Sequence, residues 1–230
     1  LRAGQTERFS VALVYGNDLK DLINNKKTVQ DIYNSNYRFP PPPKKPTLTA
    51  ISGNNQVTLY WDRVAEESLD PVTKEKDFQG YKIYRATDPN FNDVRNITDA
   101  NGLIQGYSTL QQFDKDDDIN GYFYPSKNLF QDTKGYTFFL GDDTGLVHSY
   151  IDRDVQNGRT YYYALVAYDH GNEEKDIFPS ENSKFISVLP SGEIVTDQNT
   201  AFVIPSSASA GYSLNDTIPL IHTGPGTGTI

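Results

Sequence analysis

The sequence predicts a mainly β chain: an antiparallel sandwich carrying a long insertion, preceded by a strand and a helix. Three observations predict it. Residues 158–169 alternate, with Tyr161, Tyr163, Leu165 and Ala167 on one face and Tyr162, Ala164, Val166 and Tyr168 on the other, the period-two pattern of a strand. Two further runs, 56–62 and 78–85, alternate in the same way. Turn signals bound the longest run: Asn157-Gly158 before it and Asp169-His170-Gly171-Asn172 after it.

The elements follow in chain order. Residues 8–16 read as a strand, with Phe9, Val11, Leu13 and Tyr15 alternating against Ser10, Ala12 and Val14. Asn17 or Asp18 then provides an N-cap. Leu19, Leu22, Ile23, Val29, Ile32 and Tyr33 recur at helical spacing, which predicts an amphipathic helix to about Asn34. A strand and one helix cannot bury both their faces alone. Residues 1–38 therefore read as the end of a preceding domain, or as elements packed on the sandwich that follows. Residues 39–46 hold four consecutive prolines and predict an extended spacer; the competing reading is a proline-rich ligand for an aromatic groove. Residues 47–51 and 147–152 read as shorter strands, and 183–188 as the strand that closes the sandwich.

The spacing Gly158-x-x-Tyr161-x-Tyr163-x-Leu165-x-Ala167, taken with these runs, resembles a fibronectin type III domain. The resemblance places 47–51 as strand A, 56–62 as B with Val57, Leu59 and Trp61 inward, and 78–85 as C with Tyr81 and Ile83 inward. It places 147–152 as E, 158–169 as F and 183–188 as G. It also implies a tyrosine corner, with the Tyr161 hydroxyl bonded to nearby backbone. The implied domain spans 47–188. Residues 87–145 stand between C and E in place of a short connection. Their aromatics, from Phe91 and Tyr107 through Phe113, Tyr122 and Phe123 to Phe138 and Phe139, argue for a packed segment of short strands or hairpins on one edge of the sandwich. Residues 189–230 read as a further strand near 199–204 and a tail of small residues. The run from 8 to 187 also resembles segments of large secreted bacterial multidomain proteins displayed at the cell surface.

At 230 residues the chain suits one large or two small domains. Apolar residues make up only 37%, but the 13% of aromatics bury large areas each, so a core is feasible. A net charge of −9 argues against nucleic acid and anionic lipid as partners, since both need a basic face. No apolar run reaches the about 20 residues that span a bilayer, so no membrane insertion is expected. Cysteine is absent, which removes thiol chemistry and cysteine zinc sites. Methionine is absent too, so residue 1 does not read as a translational start; the chain is expected to be an excerpt or a processed product.

The sharpest local signal is acidic. Asp116-x-Asp118-x-Asn120-Gly121, with Asp114 just before it, matches the first half of a calcium loop. Asp114, Asp116, Asp118 and Asn120 are thus candidate Ca²⁺ ligands. The twelfth loop position is Lys127, where a bidentate Glu would be needed; Asp132 or a carbonyl would have to replace it. The competing reading is a solvated acidic turn. Asp142-Asp143-Thr144-Gly145 offers a second oxygen-rich loop or simply a turn. Glu66, Glu67 and Asp70 could pair for glycoside hydrolysis, but they read as loop charges, and Asp169-His170 reads as a turn. His148, His170 and His222 lack metal-ligand spacing. Asn96 and Asn215 fit short glycosylation patterns.

The function expected from this pattern is non-catalytic: a structural or interaction module of a secreted, surface-displayed or filament-forming bacterial protein. Its partners would be neighbouring domains or subunits, joined by a strand added to an open edge. The alternative is an accessory glycan-binding module of an extracellular hydrolase, using the aromatics of the insertion.

Overall fold

A computed structural model describes residues 11–34, 41–70, 74–99, 101–124, 137–173 and 177–208. The chain is mainly β, with several antiparallel sheets. One helix, α1 (Leu19–Asn34), precedes thirteen strands: β1 (Leu48–Gly53), β2 (Gln56–Trp61), β3 (Phe78–Ala86), β4 (Ile97–Thr98), β5 (Ile104–Gly106), β6 (Gln111–Asp114), β7 (Gly121–Tyr122), β8 (Phe139–Gly141), β9 (Ser149–Asp152), β10 (Tyr161–Asp169), β11 (Ile186–Val188), β12 (Ile194–Thr196) and β13 (Thr200–Val203). A three-stranded sheet runs β1-β2-β9 and a four-stranded sheet runs β13-β10-β3-β6. Three two-stranded pairs, β4-β5, β7-β8 and β11-β12, complete the set among the described residues.

The alternation seen in the sequence decides the main core. Val57, Leu59 and Trp61 from one sheet meet Tyr81, Ile83, Tyr163, Leu165 and Val203 from the other in a single buried cluster. Trp61 packs edge-on to Tyr81, ring centroids 5.9 Å apart, and lies 6.2 Å from Phe113. Tyr161 is buried, and its hydroxyl accepts the Gln156 N–H at 3.0 Å, fastening the turn that leads into β10. Asp152 ties the two sheets together. It accepts bonds from Arg85 of β3 at 2.9 and 3.0 Å and from the Tyr163 hydroxyl of β10 at 2.7 Å. A buried carboxylate is tolerable when its lone pairs are filled by a cation and donors, as these are.

Four expectations are corrected. Residues 11–16, the described part of the strand expected at 8–16, form no strand, and Val11, Leu13 and Tyr15 lie exposed. An alternating segment becomes a strand only when an edge pairs with it, and no ladder among the described residues does so. The closing strand is also misplaced. Residues 186–188 pair with β12, and it is β13 that lies beside β10, Tyr161 opposite Val203. The chain first runs along the far half of β10, where Asn182 N–H donates to the Ala167 carbonyl and Asp169 N–H to the Ser180 carbonyl. It then leaves as the β11-β12 hairpin and returns as β13. The sheet thus extends past residue 188.

The insertion does more than line an edge. β6 extends the four-stranded sheet beside β3, while Phe91, Phe123, Phe138 and Leu140 of the insertion pack over its outer face. There Tyr84, Tyr162, Ala164 and Val166 bury against Phe91 and Ile186, and Tyr168 against Phe123, Phe138 and Leu140. Every residue of β10 is consequently buried. Gly80 permits the close approach of β6: a Cβ there would lie 2.5 Å from the Phe113 carbonyl oxygen. The proline run does not project as a free spacer. Lys44 N–H donates to Ser68 Oγ at 2.8 Å, the Pro43 and Lys45 carbonyls accept from Asn182 and Gln198, and Lys45 pairs with Asp197. Pro43 and Pro46 are buried. Residues 1–10, 35–40, 125–136 and 209–230 lie outside the described residues, and with them Lys127, Asp132, Asn215 and His222.

Candidate functional site

The acidic loop resolves into a hydrogen-bonded staple. Asp114, at the end of β6, is wholly buried. Its carboxylate accepts the Asp143 N–H at 2.7 Å, the Thr144 N–H at 3.1 Å and the Thr144 hydroxyl at 2.6 Å. Asp143 returns the bond: its carboxylate accepts the Asp117 and Asp118 N–H groups at 3.3 and 3.1 Å and the side-chain amide of Asn120. Gly141 has a left-handed φ of 136°, and a Cβ there would meet the Asp114 carboxylate at 2.1 Å. Asp116, Asp118 and Asn120 are exposed. No group of three or more His, Cys, Asp or Glu side chains is placed to hold a metal among the described residues. The two loops are joined by carboxylate–amide bonds, which are strong because the acceptor is charged.

The other candidates separate. Glu66 accepts from the Tyr81 hydroxyl at 3.2 Å and pairs with His148 Nε2. Glu67 forms an exposed pair with Lys76, and Asp70 is buried. Asp169 holds a turn, accepting the Gly171 and Ser180 N–H groups at 3.0 Å each. Its burial pushes its carboxyl up to about 6. His170 turns to the Gly171 carbonyl. Glu66 and Glu67 thus have different partners.

The sequence did not single out the feature that stands out in the structure. A cleft of 540 Å³ lies over the outer face of the four-stranded sheet, lined by Lys82, Tyr84, Gln112, Tyr122, Phe139 and Glu181 among others. Its size is that of small-ligand sites. Lys82 points outward from β3 because Tyr81 and Ile83 take the inner face. Its ammonium sits 3.5 Å from the centroid of the Phe138 ring, 4.8 Å from that of Tyr168 and 3.5 Å from Glu181. Burial pushes the ammonium down to about 8 against the opposing pull of Glu181. Glu181 in turn accepts the Tyr84 hydroxyl at 3.1 and 3.2 Å. Gln112 donates to the Tyr168 hydroxyl at 2.7 Å and, at 3.3 Å, to the Phe139 carbonyl. Tyr122 and Phe139 form one wall, ring centroids 5.1 Å apart, with Tyr122 about half exposed.

A lysine within an otherwise alternating strand was the available signal. Read alone, Lys82 is an outward-facing solvated charge; only the covering layer makes it a buried one. No helix among the described residues is long and apolar enough to cross a membrane. No family model matches the chain, and no curated protein and no solved structure matches it either.

Proposed function

We propose that this chain is a non-catalytic interaction module of fibronectin type III-like sandwich architecture, carried by a secreted or surface-displayed bacterial protein. The observation that carries the reading is the sheet order: β1-β2-β9 and β13-β10-β3-β6 share one core, and the Tyr161 hydroxyl takes a backbone N–H five residues upstream. That combination supports strands A, B and E in one sheet and G, F, C and an added strand in the other. Residues 87–145 are then an insertion that adds a strand and roofs one face.

Interaction rather than catalysis is supported by what the buried carboxylates do. Asp114, Asp152 and Asp169 each hold backbone or a cation in place. β6 and β9 end their sheets, and an edge of this kind is where a neighbouring subunit can add a strand, the route to a filament. A second reading, a glycan-binding accessory module, is favoured by the aromatic cleft, which the insertion helps to build.

An antibody against the chain tests surface display. Labelling of intact cells of the source organism, and its loss when the cells are shaved with protease, is the expected result. Labelling that appears only after lysis would overturn the reading.

A further inference from the structure

We propose that the cleft over the outer face of the β13-β10-β3-β6 sheet is a binding site for a neutral saccharide. The inference rests on the second reading above, the glycan-binding module, and gives it a ligand class. A sugar ring carries hydroxyls that donate and accept hydrogen bonds around its rim, and C–H faces that pack on aromatic rings. A site for it therefore needs an exposed ring wall beside polar groups of both kinds. Tyr122 and Phe139 make such a wall, 5.1 Å apart, with Tyr122 52% exposed. Gln112 lies on the cleft with both its amide hydrogen bonds donated inward, to Tyr168 and Phe139, leaving its carbonyl oxygen as an acceptor. The Glu181 carboxylate adds acceptor capacity beyond the Tyr84 hydroxyl, and threonine hydroxyls line the rim.

Charge selects the neutral class. Among the described residues that line the cleft, the charged ones are Lys82 and Glu181, paired at 3.5 Å. A ligand of either sign would have to separate them or leave its own charge unmatched. Two ammonium groups already stand against the rings of the cleft, Lys82 on Phe138 and Lys184 on Tyr107, each 3.5 Å from the ring centroid, so a cationic ligand would meet like charge.

The test uses the full chain against short neutral gluco-, xylo- and galacto-oligosaccharides, with oligogalacturonate as the acidic comparison. A glycan array is read first and calorimetry second. The expected result is binding of at least one neutral series, weakened about tenfold or more by Tyr122→Ala and by Gln112→Ala, the size expected for an aromatic anchor or a key polar contact. Tyr122 is exposed, so its loss leaves the fold intact; circular dichroism verifies this. Tyr60→Ala, on the opposite sheet and 48% exposed, should bind like the parent. No heat with any neutral probe at millimolar concentration would overturn the proposal, as would binding confined to oligogalacturonate, or neutral binding that survives both cleft variants. Those failures leave the surface-display result untouched. Release of new reducing ends from a bound probe would instead overturn the non-catalytic reading while supporting the site.

Discussion

Lys82 offers the most direct measurement of what the roofed cleft costs the fold. Its side chain is 8% exposed and its ammonium is pushed from the ordinary 10.5 down to about 8, first by burial, with Glu181 pulling the other way and Lys184 adding to the fall. At about 1.4 kcal/mol for each tenfold step in proton affinity, charged Lys82 costs the folded state about 3 kcal/mol near neutral pH. The sign follows from proton counting. Between pH 8 and 10.5 the unfolded chain holds this proton more tightly than the folded chain, so stability rises with pH across that window. The full cost is present below about pH 8. Three buried tyrosines act in the opposite sense: burial pushes Tyr81, Tyr163 and Tyr168 upward. Their contribution is present below the unfolded tyrosine pKa of about 10 and fades as pH climbs past it.

The assay therefore compares the parent with Lys82→Met by urea denaturation from about pH 7 to about pH 9.5, so that the tyrosines cancel. Met fits the lysine stem and removes the charge. Near neutral pH the variant should be the more stable, by up to about 3 kcal/mol less whatever Glu181 loses with its partner. Its advantage should then shrink by about 1.4 kcal/mol per pH unit above pH 8, or about 2 kcal/mol by pH 9.5. Stability curves that run parallel over this range would refute the reasoning, because a solvated ammonium would not titrate differently in the two states.

Four further outcomes can be measured. Trp61→Ala, which empties the space between Tyr81 and Phe113, should cost about 3–5 kcal/mol in thermal or urea unfolding; a melting point close to the parent's would mean that this cluster is not the main core. Tyr161→Phe removes the acceptor of the Gln156 N–H and should cost about 0.5–1.5 kcal/mol, with the Gln156 amide exchanging faster by hydrogen exchange. Asp114→Ala should cost about 1–3 kcal/mol, since it removes the buried acceptor of the bonds from Asp143 and Thr144. Melting in millimolar Ca²⁺ and in chelator at equal ionic strength tests the calcium loop: a rise abolished by Asp116→Ala plus Asp118→Ala would support it, and identical midpoints would leave the hydrogen-bonded turn.

Local pattern determined a good deal of this molecule. Val57, Leu59, Trp61, Tyr81, Ile83, Tyr163 and Leu165 were legible as core because a strand sorts its side chains by parity alone, and all seven lie in one cluster. Helix α1 was legible from its spacing, and the Tyr161 hydrogen bond from the resemblance its strand carries. Partner choice was not legible. Residues 183–188 and 199–204 carry the same short apolar alternation, and nothing within either says which one β10 will accept. The answer lies in Asn182 and Asn199, whose side chains bond the backbone of β10 at Ala167 and Leu165 and turn the chain out and back.

The site was hidden for the same reason. Asp114 to Asn120 read as a metal loop because four oxygen-bearing side chains crowd a short stretch, while the N–H groups that occupy the Asp114 carboxylate come from 143–144, across the β7-β8 pair. Lys82, Gln112, Tyr122, Phe139 and Glu181 share no motif and span a hundred residues; they meet only because the insertion and the 177–181 segment fold over one sheet face. Side-chain parity is a property of a single strand, so the sequence by itself determines it. Which strand pairs with which, and which charge is shut away from water, depend on contacts between distant segments, and only the tertiary structure decides them.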